Sequence, residues 1–238
     1  MRWKGISVTK WNWKKITGLI LFITLIGSTI YNITMLFLSP AGVSGTEIYT
    51  RVKSDYALML INCVLGLAVM MLPTLIERKL SINIPNYMYV FYFIFLYCAI
   101  YLGEVRSFYY LIPHWDTILH AFSGAMLGAL GFSLISILNN TERVQVELSP
   151  FFISLFAFCF ALSVGALWEI YEYTVDSFLS INMQRYMLRD GTQLIGHDAL
   201  TDTMKDLIAD AVSALVISTA GYIINKKQSL RDIEKTPV

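Results

Sequence analysis

The chain is poor in charge and in cysteine. Only 15% of its 238 residues are Asp, Glu, Lys or Arg, against about 25% in a typical soluble domain. The 18 basic residues nearly cancel the 17 acidic ones, so there is no charge excess to attract a nucleic-acid partner. Three cysteines, Cys63, Cys98 and Cys159, stand in three different apolar runs with no C-x-x-C spacing. That excludes a zinc cage and a disulfide framework, and the three read as small core residues. Collagen-like and disordered readings fail on composition. No P-loop, no G-x-S-x-G elbow and no dinucleotide-binding glycine pattern is found, and no Ser/His/Asp order convinces. What remains is apolar: 56% of residues are hydrophobic and the mean hydropathy is +0.58. Because these residues fall in long uncharged runs, the chain reads as an all-α, polytopic integral membrane protein forming a single membrane domain over 1–238.

A hydrocarbon core about 30 Å thick asks for about 20 apolar residues of helix. Such stretches are expected near 16–38, 56–76, 86–103, 117–138, 150–173 and 204–225. The first follows Arg2, Lys4, Lys10, Lys14 and Lys15, and is too long for a signal-peptide core, so it reads as an uncleaved span. Pro40 with Gly42 and Gly45, the Glu77-Arg78-Lys79 run, Pro113 and Pro150 mark the breaks. Twelve basic residues fall in the N-terminal segment, the loops at 77–85 and 139–149, and the C-terminal tail, against six in the other loops. Since Lys and Arg are retained on the cytoplasmic side, both termini are expected to be cytoplasmic, in the cytoplasmic (inner) membrane of a bacterium. The loop 174–203 is then outside.

Polar residues are distributed unevenly among the six spans. The first three carry almost none. The fourth opens with His114, Asp116 and His120, the fifth ends with Glu169, Glu172 and Asp176, and the sixth is entered through His197, Asp198, Asp202, Asp206 and Asp210. All three histidines and eight of the seventeen acids lie there. Spacings of three, four and seven set each group on one helical face. The faces continue as small residues, Gly124 and Gly128, Gly165 and Ala161, Ser213 and Ala214, which let membrane helices approach closely. The alternating direction of the spans brings the start of the fourth, the end of the fifth and the start of the sixth to one surface. A junction of three helices around a shared polar cluster follows.

Carboxylates at membrane depth cost about 2.5 to 3.5 kcal/mol each on insertion scales, so something cationic must answer them. Three readings stay open: a divalent metal (Zn, Mn or Mg), uptake of protons, or a salt-bridge network that only locks the helices. The expected metal ligands are His120, Glu169, Glu172, Asp202 and Asp206, with Glu169 and His120 as the catalytic pair. Asp116, Asp176, His197, Asp198 and Asp210 are support or ligands of a second metal, and Arg185, Arg189 and Lys205 are placed to steer a phosphate. His114 reads as a solvated loop histidine, and Trp115 and Trp168 as interface anchors. The Tyr and Phe residues of 87–101 read as lipid-facing packing. Asp190-Gly191 and Gly196 mark turns, and Thr201 or Asp202 is a candidate helix cap.

The set Asp116-x-x-x-His120-x-x-x-Gly124, Trp168-Glu169-x-x-Glu172-x-x-x-Asp176 and Asp202-Thr203-Met204-x-Asp206-Leu207-Ile208-x-Asp210 resembles the YjdF-like family of uncharacterised bacterial inner-membrane proteins. In plan it is distantly similar to the VanZ-like membrane proteins. The resemblance covers about 114–215. It implies a multi-span protein with a polar cluster on the outer side and brings no reaction or cofactor. Three functions fit the residues: a metal-dependent hydrolase or transferase on a lipid headgroup or lipid-linked phosphate, a cation- or proton-coupled carrier, and a non-catalytic envelope scaffold. The apolar inner halves of the last three spans count against a through-path.

Overall fold

Long apolar runs leave helices as the only way to satisfy backbone groups in lipid, and the computed structural model is all-helical. It describes residues 11–40, 51–81, 83–139, 148–188 and 192–235. The helices are α1 (Trp13–Leu38), α2 (Lys53–Val69), α3 (Leu72–Leu80), α4 (Asn86–Leu96, continued by a π-helical stretch Tyr97–Val105), α5 (Phe108–Leu111), α6 (Trp115–Asn139), α7 (Pro150–Leu179) and α8 (His197–Lys235). Helices α2 and α3 form one span broken at Met70–Met71, where Pro73 fits the first turn of α3 because its missing N–H needs no partner there. Among the described residues six helices are long and apolar enough to cross a membrane.

The spans divide into two groups of three. In the first, α1, α2 and α4 enclose an apolar core of Leu21, Leu25, Cys63, Tyr89, Phe93 and Leu96. Its one end is clasped by Glu77, whose carboxylate accepts the Ile84 N–H (2.7 Å) and the Tyr89 hydroxyl (2.7 Å), while the Lys14 ammonium lies 3.2 Å from the centre of the Tyr89 ring. At the opposite end Arg51 donates to the Val105 carbonyl (2.9 Å) and the Ser107 hydroxyl (2.7 Å). In the second group α6, α7 and α8 all pack on one another. Glycines set the approach: a Cβ on Gly131 would stand 2.8 Å from Ala157 Cα, and one on Gly124 would stand 3.0 Å from Asp210 Cα.

Several expectations need correction. The loop 174–203 shrinks to 180–196, because α7 continues to Leu179 and α8 begins at His197. Ser180, at φ +52°, ends α7 with its N–H on the Asp176 carbonyl. Gly196, at φ +63°, turns the chain into α8, a conformation that costs glycine nothing, so neither Thr201 nor Asp202 caps that helix. The span expected at 204–225 is 39 residues long, since the charged turns before it are helical too. The aromatic surface of 87–101 is not uniform: Tyr89 and Phe93 are buried, Tyr87 and Phe91 exposed. Of the cysteines Cys63 is buried, but Cys159 is exposed on α7. Arg2, Lys4, Lys10, Gly42, Gly45, Arg143, Arg189, Asp190 and Gly191 lie outside the described residues.

Candidate metal centre

His120 is the hub. It sits five residues into α6, about 7 Å along the axis from the helix start, and packs against acids from all three helices of its group. Its Nδ1 lies 3.1 Å from Asp210 Oδ2. Its Nε2 faces three carboxylate oxygens, Glu169 Oε1 at 3.8 Å, Asp206 Oδ2 at 3.9 Å and Asp116 Oδ1 at 4.0 Å. Those three distances are too long for hydrogen bonds. They are close to the edges of a coordination polyhedron, which for bonds of about 2.1 Å in a tetrahedron are about 3.4 Å. Asp116, His120 and Asp206 offer ligand atoms that all lie within 4.8 Å of one another, a group able to hold a metal ion after small shifts.

The arrangement follows from side-chain size. Gly165 on α7 leaves the room that the Asp210 carboxylate fills, since a Cβ there would overlap Asp210 Oδ2. Gly124 brings the α8 backbone against α6, and Ser123, one residue earlier, puts its hydroxyl 2.9 Å from the His120 carbonyl and 3.2 Å from Asp210 Oδ1. Asp210 is 1% exposed and thus fixed by α6 and α7 together. A proton on Nδ1 directed to Asp210 leaves the Nε2 lone pair free, which is the orientation a metal-binding imidazole needs.

Glu169 is the anomaly. It is 4% exposed, and neither carboxylate oxygen has a hydrogen-bond partner. A buried carboxylate left so would lose its hydration without return. The donor set around it, one imidazole and three carboxylates without thiolate, suits Zn²⁺ or Mn²⁺, and its oxygens suit Mg²⁺.

Above this group a cleft of about 150 Å³ opens, lined by Tyr109, His114, Asp116, Arg185, Asp202, Lys205 and Asp206 among others. Arg185 Nη1 makes a 2.7 Å ion pair with Asp116 Oδ2 and stands 3.7 Å from Asp202 Oδ1. Burial opposes its charge, but Asp116 and Asp202 more than reverse that, so the guanidinium pKa is raised above its ordinary value. The guanidinium also lies 4.5 Å from the centre of the Tyr109 ring, within cation–π range. Burial, then the negative charge of Asp116, push the Tyr109 phenol well above its usual range and keep it neutral.

The remaining expected residues fall elsewhere. Asp176 accepts the backbone N–H groups of Met183 (2.7 Å) and Gln184 (2.9 Å), and so holds the start of the 180–196 loop. His197 and Asp198 are exposed at the start of α8. Glu172 is part-buried and, like Asp202 and Glu169, stands outside the mutually close Asp116–His120–Asp206 group, although Glu169 reaches His120 Nε2 at 3.8 Å. Lys205 is exposed on the cleft wall, and His114, at φ +61°, lies beside it. Sequence reasoning passed over Tyr109 and Ser123. Ser123 is one turn after His120 on the same face, and that spacing was the available signal. Tyr109, on the short α5, carried none.

The fold and this cluster define a polytopic integral membrane protein with a buried His/carboxylate centre at one end of a three-helix junction. The chain belongs to the DUF2238 family of predicted membrane proteins, whose model matches residues 31–227. It is also 31% identical over 122 residues to an uncharacterized protein of Thermotoga maritima, a match covering 51% of this chain and 54% of the relative. The chain thus spans about half the length of that relative. No solved structure matches. These findings agree with the resemblance at the level of an uncharacterised membrane family; the narrower YjdF-like and VanZ-like likeness rests on the motifs alone.

Proposed function

We propose that this protein is a metal-dependent hydrolase or transferase acting at the outer leaflet of a bacterial cytoplasmic membrane on a lipid headgroup or a lipid-linked phosphate. The observation that carries the reading is that Asp116 and Asp206 form with His120 a group whose ligand atoms lie within 4.8 Å of one another, while Glu169, outside that group, stands 3.8 Å from His120 Nε2 with neither oxygen hydrogen-bonded. His120, Asp116, Glu169 and Asp206 hold the ion, and Asp210 orients the imidazole. A bound divalent cation supplies an electrophile for a phosphoryl or acyl oxygen and reverses a local field that would otherwise repel an anion. Glu169, on one oxygen, takes up the proton of the attacking water or hydroxyl. Arg185 and Lys205 on the cleft wall attract the phosphate.

Orientation is part of this proposal. Lys14, Lys15, Arg78, Lys79, Lys226, Lys227 and Arg231 belong to helix ends away from the cluster, which the retention of basic residues in the cytoplasm favours. Ile195, 85% exposed on the loop beside the site, should react as an Ile195→Cys variant with a membrane-impermeant thiol reagent on intact cells. Against a carrier stands the close apolar packing below the site, where Gly131 meets Ala157 and Gly221 meets Phe132.

The test uses detergent-purified protein with bacterial lipid extract and Mn²⁺, Mg²⁺ or Zn²⁺. Wild type should bind metal stoichiometrically and change headgroup composition, Glu169→Gln should do neither at the wild-type level, and Asp206→Asn should lose the metal. Unchanged lipid together with movement of metal or protons across liposomes would replace the enzyme with a carrier. Absence of stoichiometric metal in all three proteins would leave a helix-locking network.

A further inference from the structure

Arg185 is held in place by more of the fold than a surface cation requires. Asp176 fixes the backbone of Met183 and Gln184 just before it. The Gln184 side chain donates to the Thr203 hydroxyl of α8 at 2.9 Å. Ile181 and Met183 are buried against Leu58 of α2. Arg185 itself adopts φ +49°, a left-handed conformation unfavourable for a side-chain-bearing residue, which persists where surrounding contacts over-determine it. The result is a guanidinium resting on Tyr109 and presented to the cleft above the metal-binding group.

Its two acidic partners are not equivalent. Asp116 makes a 2.7 Å pair through Oδ2 while its other oxygen faces His120. Asp202 is at 3.7 Å, beyond hydrogen-bond length, and its side chain is 27% exposed, against 4% for Asp206 and 1% for Asp210. It also lies outside the Asp116–His120–Asp206 group, as a wall of the cleft. A loosely held carboxylate beside a fixed guanidinium occupies the position that an oxygen of a phosphate group would take.

We propose that Asp202 is a built-in competitor for the anion site of Arg185: in the ligand-free protein it shields the guanidinium, and a phosphate group displaces it on binding. This deepens the phosphate-handling reading and rests on it. It makes Asp202 a residue that sets the threshold for anion binding and not a metal ligand. Removing its charge should therefore strengthen phosphate binding, by about tenfold for one unit charge lost at this range, and leave the metal in place.

The experiment takes the full chain in detergent and titrates Mn²⁺, then inorganic phosphate with and without Mn²⁺, then micelles of phosphatidic acid against phosphatidylcholine. Asp202→Asn and Asp202→Ser should bind Mn²⁺ as wild type does and bind phosphate about tenfold tighter. Tighter binding of inorganic phosphate alone identifies a free phosphate ligand; a gain with phosphatidic acid alone identifies the lipid headgroup, and both outcomes support the proposal. Loss of Mn²⁺ from both Asp202 variants makes Asp202 a ligand and overturns it, as does phosphate affinity unchanged or weaker from every source. Should neither variant fold, Arg185→Gln decides, since the proposal requires its phosphate affinity to fall at least tenfold. A wild type that binds no Mn²⁺ defeats the metal reading, and the metal-free phosphate titration still judges the competition between Asp202 and phosphate.

Discussion

The two three-helix groups solve the same packing problem with opposite materials. In the first, α1, α2 and α4 fill their interface with large apolar side chains, and Gly66 there faces flexible ends: a Cβ on it would meet the Ile100 Cδ1 methyl and stand 3.1 Å from a Leu25 methyl. In the second, α6 meets α7 and α8 backbone to backbone, so a Cβ on Gly131 would press on Ala157 Cα and one on Gly124 on the Asp210 main chain. Lipid offers helices no hydrophobic reason to associate, so contact must come from close packing and polar pairs. Both groups use both, but the polar pairs of the first clasp its two ends, whereas those of the second sit inside its junction, at His120 and Asp210. Precision is needed in the second group more than in the first. A large-side-chain interface can adjust by rotamer changes, whereas the His120 centre depends on close approach of the helix backbones at Gly124 and Gly131.

The comparison breaks most strongly at Gly124. Gly124→Val should separate α6 from α8, abolish metal binding and lower stability by about 3 kcal/mol or more, beyond the usual 1–3 kcal/mol of overpacking because backbone stands in the way. Thermal unfolding in detergent alongside metal content measures both. A stable variant with metal retained would contradict the packing described for the second group. Next comes Asp210→Asn, which keeps the shape of the side chain but weakens its hold on His120 Nδ1. Metal affinity should fall about 10–100-fold with little change in unfolding temperature, and an unchanged affinity would show that the imidazole needs no orienting partner. The smallest effect is expected for Gly66→Ala, whose neighbours are side-chain ends that can move aside. Its loss of stability should stay at or below about 1 kcal/mol, the low end of overpacking, with full metal content, and a loss as large as that of Gly124→Val would erase the distinction between the groups.

Much of the second group was legible because its polar residues are both rare and periodic. Asp116 and His120, Glu169 and Glu172, and Asp202, Asp206 and Asp210 recur at helical spacing in an apolar background, and the alternation of spans brings them to one end. The first group was legible only as spans. Large apolar residues surround α4 on all sides, so periodicity does not tell buried Tyr89 and Phe93 from exposed Tyr87 and Phe91; neighbours decide that. Helix ends were misplaced for a related reason. Hydropathy registers the lipid-crossing part of a helix, while hydrogen bonding continues α8 through charged turns to His197 and Lys235.

Hydropathy and helical period are properties of the chain read in order, and from them follow a membrane protein, six spans and the acids and histidines that periodicity sets toward one junction. Only the tertiary structure decided the roles within that set. Asp116 and Asp206 share the face of Nε2 with Glu169, Asp210 takes Nδ1, Asp202 turns to Arg185 and Asp176 holds the loop. These acids are chemically alike. What separates them is a matter of ångströms between backbones, set by where Gly124 and Gly165 let three helices touch, and spacing along one helix carries no record of the distance to another.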